Sequence, residues 1–170
     1  MGLKIATLSD ASATSPQRLS LCMIVRDEEE NLPRCLESVK GVVDEIVIVD
    51  TGSTDDSVAV AERFGARVIH EEWSGDFAAH RNTSIDAATG DWILVLDADE
   101  EMVDGMALRP LLNDTETDGY SLREINFIGK EAGFEAVVNA AFRVFRNRPA
   151  HRYSGALHEH DDDPGPRPGT

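Results

Sequence analysis

The sequence predicts an α/β domain: a mostly parallel sheet flanked by helices, with an added antiparallel hairpin. Three observations carry that expectation. Apolar, β-branched runs alternate with helix-patterned segments from Leu19 to Leu96, the order that yields parallel strands joined by right-handed crossovers. Three of those runs end on acids: Val25 leads into Arg26-Asp27-Glu28, Val49 into Asp50, and Leu96 into Asp97-Ala98-Asp99-Glu100-Glu101. Beyond Glu101 the pattern changes to two long strand-like stretches, 119–128 and 136–145, around Gly129-Lys130-Glu131-Ala132-Gly133, which reads as a hairpin.

Leu19–Val25 is the first strand. Asn31 is expected to cap the next helix, with Pro33 in its first turn, where the missing N–H costs nothing. Ile46–Val49 is the second strand and ends at Asp50. Thr51-Gly52-Ser53-Thr54 is a turn, and Asp55 and Asp56 stand where acids favour a helix N-terminus. That helix is expected to turn Val58, Ala61 and Phe64 toward the core and to end at Gly65. Arg67–Ile69 is a short third strand. A helix follows over 76–89, stopped by Gly90. Trp92–Leu96, five large apolar residues in a row, reads as a strand buried on both faces. Residues 1–17 are small and polar and read as a flexible leader; 161–170 read as a disordered tail. Residues 18–160 remain as one domain, divided into a ligand-binding half, 18–101, and a shorter half, 102–160.

A chain of 170 residues suits a single domain. Its 16 basic and 32 acidic residues give a net charge of −16. A field of that sign repels nucleic acid phosphates and anionic lipid, so neither is an expected partner. Cys22 and Cys35 match no zinc spacing and read as small buried apolar residues. No apolar run approaches the roughly 20 residues that span a bilayer, and the N-terminus lacks a signal-peptide core. A cytoplasmic location is expected. His70, His80 and His151 have no evident partner and are expected at the surface.

Acids at the carboxyl ends of parallel strands lie where open α/β sheets bind ligands. Asp97 and Asp99 are two apart, so on an extended chain they point the same way. Two like charges held together require a cation or donor groups. The natural cations for all-oxygen ligation are Mg2+ and Mn2+. The sequence has neither G-x-G-x-x-G after the first strand nor G-x-x-x-x-G-K-[ST], which excludes a dinucleotide fingerprint and a P-loop.

Four segments occur in order: Cys22-Met23-Ile24-Val25-Arg26-Asp27-Glu28-Glu29, Val47-Ile48-Val49-Asp50-Thr51-Gly52-Ser53-Thr54-Asp55, Arg81-Asn82, and Gly90-Asp91-Trp92-Ile93-Leu94-Val95-Leu96-Asp97-Ala98-Asp99-Glu100. Together they resemble the inverting family-2 glycosyltransferases with the GT-A fold, a Rossmann-like sheet that binds nucleoside-diphosphate sugars. The resemblance implies a role for each matching residue. Arg26, Asp27 and Glu28 line the base and ribose end, and Asp50 accepts a hydrogen bond from the base. Arg81, beside Asn82, touches the nucleotide or its phosphates. Asp97 holds the ribose hydroxyls, directly or through water, and is also a metal residue, acting through water. Asp99 coordinates Mn2+ or Mg2+, with His158 as a further ligand. Glu159 is the base on the acceptor, with Glu124 and Glu135 as the other carboxylates available. Glu100 replaces a frequent third Asp and reads as a helix-capping acid. Trp73 either covers the sugar or packs in the core.

The implied reaction is metal-dependent transfer of a hexosyl unit from a UDP-, GDP- or dTDP-linked donor to an acceptor hydroxyl on a glycan, lipid or small molecule. The alternative is a non-catalytic nucleotide-sugar-binding module or an isolated donor-binding core, since the acceptor-side half is short. Phosphohydrolases of the haloacid dehalogenase type also carry D-x-D after an apolar strand, but there it opens the chain. The oligomeric state stays open.

Overall fold

The computed structural model describes residues 16–128, 135–155 and 160–161. In chain order the elements are β1 (Leu19–Val25), α1 (Leu32–Ser38), β2 (Glu45–Asp50), α2 (Ser57–Arg63), β3 (Arg67–His70), α3 (Phe77–Ala87), β4 (Trp92–Val95), a 3-10 helix (Gly105–Asn113), β5 (Gly119–Ile128) and β6 (Glu135–Arg146). Six strands form one sheet in the order β3-β2-β1-β4-β6-β5. β3, β2, β1 and β4 are parallel neighbours, while β6 runs antiparallel to both β4 and β5. The expected mostly parallel sheet with an added hairpin is borne out.

The hairpin joins through its second strand. β6 pairs with β4 from Trp92↔Arg146 to Leu94↔Val144. Continuing that register brings Arg143 level with Val95, at the carboxyl end of β4, where the acidic turn begins.

β1 alternates in the period-two manner of a strand covered on both sides. Leu19, Leu21 and Met23 enter one core with Leu32, Leu36, Val60, Trp92, Leu94, Leu108 and Leu112. Cys22 enters the other with Ile85, Ile93, Val95 and Phe145. α1, α2 and the 3-10 helix therefore cover one face of the sheet and α3 the other. Both cysteines are free and buried, as the sequence implied.

Local chemistry departs from expectation at several points. Asn31 does not cap α1: its side chain makes no capping bond, because its amide donates to Glu28 Oε2 at 2.9 Å and accepts from Arg34 Nη2 at 3.1 Å. α2 begins at Ser57, and this register buries Val60 and Ala61 while Val58 is only half-buried. Gly65 follows that helix at φ +78°, the left-handed stop that favours glycine. The 3-10 helix was not anticipated. Its carbonyl at Leu112 accepts from Trp92 Nε1 at 3.0 Å, so it closes over the largest core side chain. His80 and His151 are buried, against the surface expectation; His70 is exposed. His160 and Asp161 pair with Tyr153–Ser154 in a two-residue ribbon, so regular structure extends into the first residue assigned to the tail. Residues 1–15 and 162–170, most of the leader and tail, lie outside the described residues. Among the described residues no helix is long and apolar enough to cross a membrane.

At the amino end of the sheet, two carboxylates tie the strands together. Asp44 Oδ2 accepts from Leu19 N and from Arg109 Nη1, each at 2.8 Å. Glu45 Oε2 accepts from Ser20 Oγ at 2.5 Å and from Thr89 N at 2.7 Å. Burial pushes the Glu45 carboxyl up, but the bonds from Ser20 and Thr89 outweigh it and hold the group below its usual value. A depressed carboxyl contributes stability above its unfolded pKa and loses it as pH falls through the folded value. Thermal unfolding in pH steps should show the wild type losing stability between about pH 5 and pH 3, with Glu45→Gln less stable at neutral pH and flatter across that window. Parallel curves for the two proteins would contradict this account.

Candidate functional site

The carboxyl ends of β1, β2 and β4 open onto a cavity of about 330 Å³. The loop after β1 lines it with Arg26 and Glu28, α3 with Phe77 and Arg81, and the turn after β4 with Asp97 and Asp99. Thr51 and Trp73 complete the wall. Five of the residues implied by the sequence, Arg26, Glu28, Arg81, Asp97 and Asp99, thus meet at one opening. Asp50 stands behind it, and His158 and Glu159 lie outside the described residues.

Much of the acid around this edge serves the loops themselves. Asp27 is in the left-handed region at φ 52°. Its N–H donates to Ser53 Oγ at 3.0 Å, and its Oδ1 accepts from Thr54 N at 2.7 Å. Glu28 N donates to Ser57 Oγ at 2.7 Å, Glu29 N to Asp55 Oδ2 at 3.0 Å, and Asp56 N to Glu29 Oε2 at 2.9 Å. The loop after β1 is therefore zipped to the loop after β2, and Asp27, Glu29 and Asp55 spend their oxygens on backbone N–H groups. Arg26 is exposed and lies 4.0 Å from Asp27.

Asp50 is buried. Its Oδ1 accepts from Ser53 N at 3.1 Å, and His70 Nδ1 lies 3.3 Å from its Oδ2. Burial pushes its carboxyl up, and the bonds from Ser53, His70 and Gly52 outweigh that and hold it below the usual range. It is an ionised acceptor fixed at the carboxyl end of β2, beside Thr51 of the cavity wall.

The turn after β4 is closed on itself. Asp97 N donates to Glu100 Oε2 at 2.8 Å, and Glu100 N donates back to Asp97 O at 3.1 Å. Glu100 therefore closes the turn instead of capping a helix. Asp97 lies between two arginines: Arg81 Nη2 is 3.2 Å from Oδ1, and Arg143 Nη1 is 3.6 Å from Oδ2. Arg81 is buried and also packs over the Tyr153 ring, 5.3 Å from its centre. Burial, together with a hydrogen bond to Glu124, pushes the Glu100 carboxyl up to about 7 in spite of the nearby Arg143. Asp99 is exposed and accepts no hydrogen bond from the described residues.

Among the described residues no three His, Cys, Asp or Glu side chains are arranged so that they could hold a metal ion together. Asp99 is the carboxylate left open to the cleft, whereas both oxygens of Asp97 face guanidinium groups. One carboxylate suits Mg2+ or Mn2+, which take one or two protein oxygens and complete their shell with water and substrate phosphate.

Two supporting arrangements escaped the sequence reading. His80 Nε2 accepts from Ser74 N at 3.1 Å, so the proton sits on Nδ1, which donates to Glu71 Oε2 at 2.5 Å. The ring stacks on Trp73 at 5.1 Å and so fixes the cavity wall. Trp73 itself is half-exposed at the cavity rather than in the core. Asn82 forms a two-point bond with Tyr153, donating to its carbonyl and accepting from its N–H, each at 2.9 Å. Arg143 is the other unforeseen member; its only trace in sequence is a lone charge within Ala140-Ala141-Phe142-Arg143-Val144-Phe145.

Residues 20–160 match the family model described as glycosyl transferase family 2. The chain belongs to glycosyltransferase family 2. A TPR repeat-containing protein of Synechococcus elongatus is 48% identical over 149 residues, which cover 86% of this chain and 36% of that protein. An uncharacterized glycosyltransferase of Rickettsia felis is 41% identical over 86 residues, or 51% of this chain and 30% of its own length. The chain thus spans about a third of the length of the curated relatives it matches. Among solved structures, glucosyl-3-phosphoglycerate synthase from Mycobacterium tuberculosis, crystallised with uridine diphosphate, superimposes with a TM-score of 0.50 at 23% identity, covering 60% of this chain and 42% of that one. That likeness agrees with the GT-A fold of the family.

The Asn82–Tyr153 bond gives a direct structural test. Asn82→Ala is expected to cost about 1–3 kcal/mol, two net hydrogen bonds, and hydrogen exchange should show the Tyr153 amide losing its protection. A fully protected amide in the variant would contradict the pairing.

Proposed function

We propose that the cavity takes a nucleoside-diphosphate sugar and that the protein transfers the sugar to an acceptor hydroxyl with inversion at the anomeric carbon. The observation that carries this reading is that Arg81 and the open carboxylate of Asp99 line a single cavity at the carboxyl edge of a family-2 sheet.

Each side chain has a part that its surroundings permit. Asp50 is an ionised acceptor, so it suits an N–H of the base and rejects a bare carbonyl there. Arg26 and Glu28 flank the base and ribose. Asp97, steadied by two guanidiniums, accepts from ribose hydroxyls. Arg81 is held in place before any ligand arrives, so its N–H groups meet the diphosphate with little loss of freedom. Trp73 offers an aromatic face to the sugar. Asp99 and His158 would hold Mn2+ or Mg2+, which would supply positive charge against the diphosphate leaving group. Inversion needs one base on the attacking face, a role we give to Glu159. Glu124 is less suited because its carboxylate is bonded to Arg143. The two free cysteines fit a reducing, cytoplasmic setting.

Calorimetric titration with UDP, GDP and dTDP, with and without Mn2+, tests the donor site. At least one nucleotide should bind more tightly with the metal. Asp99→Ala should erase that gain while leaving the unfolding midpoint within about 0.5 kcal/mol of the wild type, as expected for an exposed residue. Retention of the gain would place the metal elsewhere. Product formation over an acceptor panel, with the anomeric configuration read by NMR, separates a transferase from a protein that only binds the donor.

A further inference from the structure

We propose that Arg143 on β6 is the positioning residue of the acidic turn: it grips Asp97 and Glu100 so that Asp99 alone is presented to the donor's phosphates and their metal. This rests on the donor-site reading above.

The geometry is specific. Arg143 Nη2 donates to Glu100 Oε1 at 2.5 Å and to Glu124 Oε1 at 2.9 Å, while Nη1 stands 3.6 Å from Asp97 Oδ2. One planar fork thus reaches the first and last residues of the turn and anchors them to β5. The Arg143 side chain is only 16% exposed, against 47% for Asp97, so the fork sits beneath the turn rather than in the cleft. It does not line the cavity. Its place follows from the sheet: β6 pairs antiparallel with β4 up to Leu94↔Val144, so the preceding residue of β6, Arg143, comes level with Val95 at the end of β4, two residues before Asp97.

Electrostatics explain why a cation is needed there. Asp97, Glu100 and Glu124 all lie against the one Arg143 guanidinium, and like charges at such range repel when partly desolvated. Arg81 meets only Oδ1 of Asp97. Without Arg143, Glu100 loses its guanidinium partner, and the turn loses the tie that fixes its far end. Glu100 Oε2 would still accept from Asp97 N, so the turn would persist with a looser orientation. A donor carboxylate presented in one direction is what a metal held by few protein oxygens requires.

The test uses the full chain, Arg143→Met and Arg143→Lys, titrated calorimetrically with each of UDP, GDP and dTDP in the presence and absence of Mn2+, with unfolding midpoints recorded for all three proteins. Arg143→Met should lose about 10- to 100-fold of the Mn2+-dependent affinity, the usual cost of removing a group that orients a metal ligand, with a clearly smaller loss of metal-free affinity through Asp97. Arg143→Lys keeps the charge but not the fork and should fall between; if the Met variant does not fold, the Lys variant decides by the same criterion. Equal losses with and without Mn2+ would mark Arg143 as merely structural and overturn the proposal, as would undiminished Mn2+-dependent binding. If the wild type itself shows no Mn2+ dependence, the donor-site reading fails first and takes this inference with it.

Discussion

The structure depends on Asp97 being held between two guanidiniums that arrive from opposite sides of β4. Arg81 comes from α3 and Arg143 from β6, elements joined by no short stretch of chain. Acids packed at a strand end are costly in a partly dry cleft. A buried cation, Arg81, and a half-buried one, Arg143, offset that cost and fix which oxygens stay open. The same pairing links the layers: the helix on one face, the central parallel strand and the antiparallel addition all meet at the first residue of the acidic turn.

This constraint separates acids that look alike. Asp27, Glu29 and Asp55 bind backbone N–H groups and zip two loops together. Asp44 and Glu45 lock the opposite end of the sheet. Asp50 is an acceptor fixed at the end of β2, and Glu100 closes a turn. Among the described residues, Asp99 is the acid left uncommitted at the cavity. An overall charge of −16 therefore reflects several local tasks, and the positive charge lining the cavity is that of Arg26 and Arg81.

Legibility in the sequence follows the range of the interaction. Strands β1, β2 and β4 are legible because burial on both faces demands unbroken apolar runs, and the limits of β5 match the predicted stretch. The α3 start is legible because Asp76 caps locally, accepting from Ala79 N. Asn31 misleads because Glu28 and Arg34 compete for its amide. The 3-10 helix has no helical period long enough to read, with Pro110 inside it. His80 and His151 look like surface residues until the fold brings Glu71, Ser74 and the Arg146 carbonyl to their rings. Arg143 is invisible for the same reason: a charge in a strand-like run declares itself only when β6 is seen beside β4. The family motifs carried Arg81 and Asp97, while their mutual contact needed coordinates.

Diffraction from crystals of the chain soaked with UDP, GDP or dTDP and MnCl2, recorded for manganese anomalous signal, tests the central claim most directly. The account predicts a manganese peak bonded to a carboxylate oxygen of Asp99 and to diphosphate oxygens, with Asp97 still between Arg81 and Arg143. A nucleotide and metal bound away from this turn, or Asp97 released from both arginines to take the metal itself, would contradict it.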